Sequence, residues 1–110
     1  MTTCFALDLK DDPALIAEYE QWHRQVWPEV LEHLRTQGIT RCTIHRAGNR
    51  LFMITESAGG AATDGGGATL PPRVQEWEEL MERFQQPLPF AQAGEKWVRM
   101  EAIFDWRADQ

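Results

Sequence analysis

The residues best suited to chemistry lie close together between positions 19 and 29. They combine aromatic and ionisable side chains: Tyr19, Trp22, His23, Trp27, Pro28 and Glu29. Tyr19, His23 and Trp27 follow one another at intervals of four residues, so on a helix they would share one face and line one pocket. An imidazole, with an ordinary pKa of about 6.5, can accept and donate protons near neutral pH. His23 is therefore the candidate acid/base group.

These residues also have structural interpretations, which the sequence leaves open. A histidine on an apolar face is often a core residue whose ring hydrogen-bonds a backbone carbonyl. A proline inside a helix costs ~3 kcal/mol, so Pro28 is easier to tolerate if the break shapes a site. Alternatively, Pro28 begins a second helical segment with Trp27 outside it. Tryptophan is most often a core residue, but its flat face also suits the C–H face of a pyranose, and Trp27 and Trp77 are the candidates for that role.

Other chemical motifs are weak. His45 lies in a predicted strand, where it can point to either face of a sheet, and is kept as a candidate binding residue. The sequence has no HxxxH or HxH pair, so no metal site is predicted. Cys4 and Cys42 fall in different predicted strands without CxxC spacing, which favours free thiols in a reducing cytoplasm. The segment GGAATDGGGA lacks the Gly-Lys-Ser/Thr ending of a phosphate-binding loop.

Length and charge narrow the classes of function further. The chain has 110 residues, 43% of them hydrophobic, and a formal net charge of −6, which predicts one globular domain over residues 1–110. An acidic chain without basic clusters lacks the attraction to phosphates on which nucleic-acid binding depends. The sequence has no run of 18 apolar residues and no N-terminal targeting pattern. We therefore expect a cytoplasmic protein with neither nucleic acid nor membrane as a partner.

The elements that must position these residues follow from hydrophobic periodicity and turn signals. Their predicted order is strand 3–9, helix 12–38, strand 40–46, strand 51–56, helix 74–84 and strand 96–106. Asp12 is a predicted N-cap followed by proline, and Gly38 is a predicted helix end. The turn Ala-Gly-Asn joins the two middle strands into a hairpin. The glycine-rich segment 57–72 is predicted to be a flexible loop.

This order predicts the fold class. Strand, helix, strand, strand, helix, strand is the βαββαβ arrangement of ferredoxin-like α+β domains, with a four-stranded antiparallel sheet and both helices on one face. In that arrangement the first and second strands are not neighbours. The other sheet face carries apolar residues that would be exposed to water in a monomer, and two copies commonly bury such a face by packing together. We therefore expect a homodimer.

The motif around His23 also resembles a known family. The pattern EYxxxHxxxWPE at Glu18, Tyr19, His23, Trp27, Pro28 and Glu29, together with Trp77 and with Glu101 in the last predicted strand, resembles the L-rhamnose mutarotases. The similarity covers most of the chain. It implies a dimeric α+β barrel and a pyranose pocket between sheet and helices. It further implies that His23 is the acid/base histidine and that Tyr19 and Trp77 line the pocket.

The chain also departs from the family pattern at two positions. Cys42 stands where the family usually has a tyrosine, and Glu78 stands where it tends to have a second aromatic residue after Trp77. The loss of a polar aromatic contact suggests relaxed or switched sugar specificity. We rank L-fucose first and L-rhamnose second, since both are 6-deoxy-L-hexoses that differ in hydroxyl stereochemistry.

Mutarotation needs only one or two acid/base groups. A proton leaves the anomeric hydroxyl and another reaches the ring oxygen, so that the ring opens to an aldehyde, rotates about C1–C2 and closes on its other face. His23 supplies this chemistry in our hypothesis, with Tyr19 or Glu101 as its orienting or second group, and no cofactor is expected. The alternatives are a non-catalytic ligand-binding module of the same fold, and a small cofactor-free or haem-handling monooxygenase.

Overall fold

The computed structural model describes residues 1–58 and 70–108, and this part of the chain forms three helices and five strands. In chain order the elements are β1 (Thr2–Leu9), α1 (Pro13–Trp22), α2 (Pro28–Thr36), β2 (Ile39–Ala47), β3 (Arg50–Ser57), α3 (Pro72–Glu82), β4 (Gln85–Gln86) and β5 (Val98–Met100). The helices cover one face of an antiparallel sheet. The predicted α+β class and the ferredoxin-like arrangement are confirmed.

The sheet is built around β1. β3 pairs with one edge of β1, with Leu7 opposite Leu51, and β2 extends the sheet beyond β3. The other edge of β1 is shared by β4 and β5, with Ala6 opposite Val98. The prediction that the first two long strands are not neighbours is confirmed. The prediction of four strands omitted the two-residue β4, which is too short to leave a periodic signal.

One long helix over 12–38 was the wrong prediction, because the chain breaks after Trp22. The Asp12 carboxylate caps α1, accepting hydrogen bonds from the backbone N–H groups of Ala14 (2.9 Å) and Leu15 (3.2 Å). Trp27 precedes α2 as its N-cap, and Pro28 takes the first helical position, where a missing N–H costs nothing. The alternative interpretation of Pro28 as the start of a second segment is confirmed.

The middle of the chain follows the sequence signals closely. Gly38 ends α2 with a positive φ of 79°, and Gly48, with φ of 60°, turns the β2–β3 hairpin; both conformations suit glycine because it lacks a Cβ atom. The helix predicted over 74–84 is α3. The bounds predicted for the flexible loop, 57–72, are too wide at both ends, since Ser57 belongs to β3 and Pro72 begins α3. Most of that loop, 59–69, lies outside the described residues.

The last strand is much shorter than predicted. Alternation over 96–106 predicted one long strand, but only Val98–Met100 pairs with β1. The segment 101–106 has no strand partner within the described chain, and an alternating pattern forms a strand only where a neighbouring strand offers backbone groups. Its apolar side chains are left in water: Ile103 is 96% exposed, Phe104 80% and Trp106 72%.

The hydrophobic core lies between the sheet and the helices. Its fully buried side chains are Phe84, Leu7, Leu9 and Leu51. The side chains of Tyr19, Trp77 and Met81 from the helices form one cluster with Leu9, Leu51 and Phe84, so two of the residues singled out for chemistry are also part of the core. In the described ranges, no helix is both long and apolar enough to cross a membrane.

Candidate active site

A cavity of about 610 Å³ opens between the helix-covered face of the sheet and the helices. Its walls come from α1 and the break that follows it, from α2, from α3 and from the inward-facing side chains of β2 and β3. The described side chains of chemical interest that line it are Tyr19, Glu20, His23, Arg24, Cys42, Arg46, Trp77, Glu78, Gln85 and Trp97. The volume lies in the range of small-molecule sites.

His23 is fixed at the point where α1 ends. It is the C-cap residue of α1, and its Nδ1 lies 2.9 Å from the backbone carbonyl oxygen of Tyr19. Because a carbonyl can only accept, Nδ1 is the protonated nitrogen of the neutral ring. The other nitrogen, Nε2, then carries the free lone pair and has no hydrogen-bond partner among the described residues. The contact that satisfies one side of the ring therefore leaves the other side able to take a proton.

Aromatic rings surround His23. The Tyr19 ring centroid lies 4.4 Å from that of His23, and the Trp77 ring meets His23 edge-on at 5.5 Å. Trp77 is only 5% exposed and also contacts Trp22 and Trp27 edge-on, at 6.4 Å and 5.2 Å. This cluster excludes water from one side of the cavity and presents flat apolar surfaces beside the imidazole of His23.

Tyr19 is held in its neutral form. The pKa of its hydroxyl is raised to about 12, chiefly by burial and in smaller part by the nearby Glu78 and Cys42, while a hydrogen bond with the Gln85 side chain acts in the opposite direction. Burial also raises the pKa of the Cys42 thiol. Near neutral pH both groups are therefore protonated, and Tyr19 can donate a hydrogen bond but cannot serve as a base.

The residues predicted to form the site do not all lie together. His23, Tyr19 and Trp77 line the cavity together. Trp27 lies behind Trp77 instead, with the Arg73 guanidinium 4.1 Å above its ring centroid. The structure does not bring His45 or Glu101 to this cavity.

His45 and Glu101 lie away from the cavity for different reasons. Side chains alternate along β2, so Cys42 and Ile44 face the helices while His45 faces away. There His45 lines a smaller cavity of about 260 Å³ and its Nε2 lies 3.2 Å from the Thr43 hydroxyl. Glu101 follows the last paired residue of β5 and is exposed. Its predicted position depended on a strand that ends one residue earlier.

Several cavity residues were not among the sequence-based candidates, among them Glu78 and Gln85, which act on the pKa of Tyr19. Glu78 was noted only as a departure from the family pattern, although its position directly after Trp77 was a usable signal. Gln85 left no signal, because it lies in the two-residue β4. Its side-chain oxygen is buried without a hydrogen-bond partner in the described structure. Across residues 1–58 and 70–108, no three His, Cys, Asp or Glu side chains converge to hold a metal ion.

Comparison with known proteins decides the family. A family model described as L-rhamnose mutarotase matches residues 2–106. The chain belongs to the L-rhamnose mutarotase family. Members of this family are isomerases that interconvert sugar anomers, so the predicted sugar mutarotase is confirmed, and the binding-module and monooxygenase alternatives are not favoured. An L-fucose mutarotase of Xanthomonas campestris pv. campestris is 48% identical over 109 residues, which cover 92% of this chain and 84% of that protein.

Solved structures show the same fold at lower sequence identity. An L-rhamnose mutarotase from Formosa agariphila is 21% identical with a TM-score of 0.72, and the match covers 97% of this chain and 99% of that one. Tetracenomycin F2 cyclase from Streptomyces glaucescens, a type-II polyketide cyclase, is 19% identical with a TM-score of 0.66, covering 98% of both chains. The fold is therefore shared beyond the mutarotases, and the cavity residues must carry the specific chemistry.

Proposed function

We propose that the protein interconverts the α and β anomers of a 6-deoxy-L-hexose, with L-fucose as the preferred sugar and L-rhamnose second. The observation that carries this proposal is the geometry of His23, whose Nδ1 is occupied by the Tyr19 carbonyl at 2.9 Å. That contact leaves Nε2 to exchange protons with a ligand in the cavity. The identity of 48% to an L-fucose mutarotase supports the order of the two sugars.

In the proposed mechanism, His23 Nε2 removes the proton of the anomeric hydroxyl as the bond between C1 and the ring oxygen breaks. The protonated His23 returns this proton to the ring oxygen, the open aldehyde rotates about C1–C2, and the same steps in reverse close the ring on its other face. General acid/base catalysis by one positioned group contributes about 10²–10⁴-fold. Because His23 returns the proton that it accepts, opening and closure of the sugar ring need no second base.

The other cavity residues bind and orient the sugar. The Tyr19 hydroxyl, kept protonated by the burial that raises its pKa to about 12, donates a hydrogen bond to a sugar oxygen. The Trp77 and Trp97 side chains give apolar surface for the C–H face and the C6 methyl group of the ring. Trp27 acts indirectly, since it packs against Trp77 at 5.2 Å.

Saturation-transfer proton NMR on the anomeric signals tests the proposal. Wild-type protein should speed anomer exchange of L-fucose more than that of L-rhamnose, and His23→Ala should lower the rate by about 10²–10⁴-fold. His45→Ala is the matched control, because this histidine lies on the opposite sheet face, and its rate should stay within about twofold of wild type. Equal losses in the two variants, or no exchange above buffer with wild type, would contradict the proposal.

We further infer that the protein is a homodimer in which the exposed C-terminal segment 101–106 packs on a second copy. Ile103, Phe104 and Trp106 are 96%, 80% and 72% exposed, and they continue directly from β5 at the edge of the sheet. An apolar segment next to a strand edge is expected to pair with and cover another copy of the sheet. That contact would also extend β5 toward the length that its alternation predicts.

The oligomeric state is testable by light scattering after gel filtration. The double variant Ile103→Asp, Phe104→Asp should halve the molar mass by placing charges in the contact. Phe90→Asp is the control, since Phe90 is 68% exposed in the loop before β5 and lies outside the segment. A monomeric wild-type protein, or loss of the dimer in the control alone, would contradict this arrangement.

We also propose a cytoplasmic location, supported by the two free thiols Cys4 and Cys42.

A further inference from the structure

A second ionisable group lies in the cavity on the α3 side. Glu78 follows Trp77 directly, lines the cavity and keeps 38% of its side chain exposed, so solvent or a ligand can reach it. Tyr19 lines the same cavity, and the negative charge of Glu78 is one of the causes that raise the pKa of Tyr19. Glu78 is therefore next to the aromatic end of the cavity that contains His23.

Lys96 holds this carboxylate in position. The Lys96 Nζ lies 3.0 Å from the Glu78 Oε2 and 3.9 Å from the Glu82 Oε2, and 29% of the lysine side chain is exposed. Lys96 comes directly before Trp97, another cavity residue, so the contact joins α3 to the segment that precedes β5. An anchored carboxylate loses less rotamer freedom when it binds a ligand than a free one does.

The other carboxylate of the cavity is engaged elsewhere. The Glu20 Oε2 accepts a hydrogen bond from the Arg46 Nε, and Arg46 also donates to the Gly48 carbonyl oxygen at 2.7 Å. That pair lies at the hairpin end of the sheet. Glu78 is thus the cavity carboxylate that shares its surroundings with Tyr19 and Trp77.

We infer that Glu78 binds ring hydroxyl groups of the sugar and that Lys96 is its positioning residue. A carboxylate accepts hydrogen bonds from hydroxyl groups, and bonds to a charged acceptor are stronger than those between neutral groups. With Tyr19 as donor and Glu78 as acceptor, the cavity can recognise the arrangement of hydroxyls around the ring while His23 acts at the anomeric centre. This inference rests on the proposed mutarotase function and assigns its specificity to a position on α3.

Four variants separate an effect on sugar binding from an effect on the fold. Glu78→Gln removes the charge at nearly constant volume. Glu82→Gln is the matched control on the same helix, because Glu82 also lies near Lys96 but does not line the cavity. Lys96→Met removes the anchor, and Lys96→Arg should restore it. The urea midpoint of each variant is measured alongside, so that a loss of fold is recognised.

The exchange rate of L-fucose is measured by saturation transfer over a range of sugar concentrations. Glu78→Gln should raise KM about tenfold and change kcat by less than about threefold, since a charge-assisted contact of binding is lost. Lys96→Met should raise KM about threefold, and Lys96→Arg should return it toward wild type. Glu82→Gln should keep both constants within about twofold. A KM for Glu78→Gln equal to that of Glu82→Gln would overturn the inference.

Titration of tryptophan fluorescence with L-fucose keeps this inference distinct from the catalytic proposal. If wild-type protein binds L-fucose without speeding anomer exchange, the mutarotase proposal fails while Glu78 is still tested, because Glu78→Gln must weaken binding about tenfold. If wild-type protein neither binds nor exchanges L-fucose, both proposals fail. Exchange by wild type with unchanged binding by Glu78→Gln refutes the role of Glu78 alone.

Discussion

The two faces of the sheet differ although they are built from the same strands. On the helix-covered face, β2 presents Cys42 and Ile44 to a cavity of about 610 Å³ beside His23. On the opposite face the same strand presents Thr43 and His45 to a cavity of about 260 Å³. The first face has aromatic walls and a histidine held through one nitrogen, whereas His45 contacts a hydroxyl on its own strand. Residue type alone does not make a site; the packing around it does.

Replacing a phenylalanine with alanine on each side of the sheet should show the largest difference in the free energy of unfolding. Phe84 is completely buried under the helices, so Phe84→Ala should lower the free energy of unfolding by about 3–5 kcal/mol. Phe52 faces the other side and is half-buried, so Phe52→Ala should cost about half as much. Urea unfolding at low protein concentration measures both values.

The same pair of variants sharpens the dimer proposal. If a second copy covers the outer face, the cost of Phe52→Ala should grow with protein concentration, because association stabilises the folded state by mass action. The cost of Phe84→Ala should not depend on it. If the two variants lost the same free energy of unfolding at low protein concentration, the two sheet faces would not differ in burial as described.

The ionisation of Tyr19 should have the next largest effect on the free energy of unfolding. Because Tyr19 is the single tyrosine of the chain, its ionisation can be followed by tyrosinate absorbance. The pKa should be about 12 in the folded protein, against 10.0 for an ordinary tyrosine. Between these values the folded state keeps a proton that the unfolded state loses, so stability is complete below about pH 10 and falls as pH rises. The total loss should be on the order of 3 kcal/mol.

Ordinary titration of Tyr19 near pH 10 in the folded protein would contradict its burial beside Trp77. Binding of L-fucose should delay the ionisation further, since a ligand that accepts a hydrogen bond from the hydroxyl favours the protonated form. Tyr19→Phe is the control variant, and its alkaline stability curve should lack this fall.

The two cysteines give the smallest effect and compare the faces directly. Cys42 lines the cavity, whereas Cys4 lies opposite Ile54 on the outer face. Burial raises the pKa of Cys42, so its reaction with iodoacetamide should be slow at neutral pH and accelerate as pH rises. Saturating L-fucose should slow labelling of Cys42 about tenfold and leave Cys4 within about twofold, as read by peptide mass spectrometry. Equal protection of both thiols would indicate a global effect instead of a ligand in the cavity.

Local signals in the sequence determined most of the fold. Alternation predicted β1 to β3, Asp12 and Gly38 marked the ends of the helical region, and the glycine turn predicted the hairpin, because each of these depends on neighbouring residues only. The family motif likewise identified His23, Tyr19 and Trp77, whose common cavity the structure contains. Pro28 indicated a break in the sequence. Whether it interrupts one long helix or begins a second one depends on the path of the chain after Trp22, which only the structure shows.

Tertiary structure alone decided the rest. Whether 101–106 is a strand depends on a partner strand, which no residue in that segment specifies. Whether His45 or Cys42 faces the cavity depends on the register of β2 against β3, since one step along a strand reverses the face. Glu78 and Gln85 join the site through contacts between α3, β4 and α1, which are distant in sequence. Composition and spacing predicted most of the elements and the candidate histidine, whereas packing determined the polar wall of the cavity.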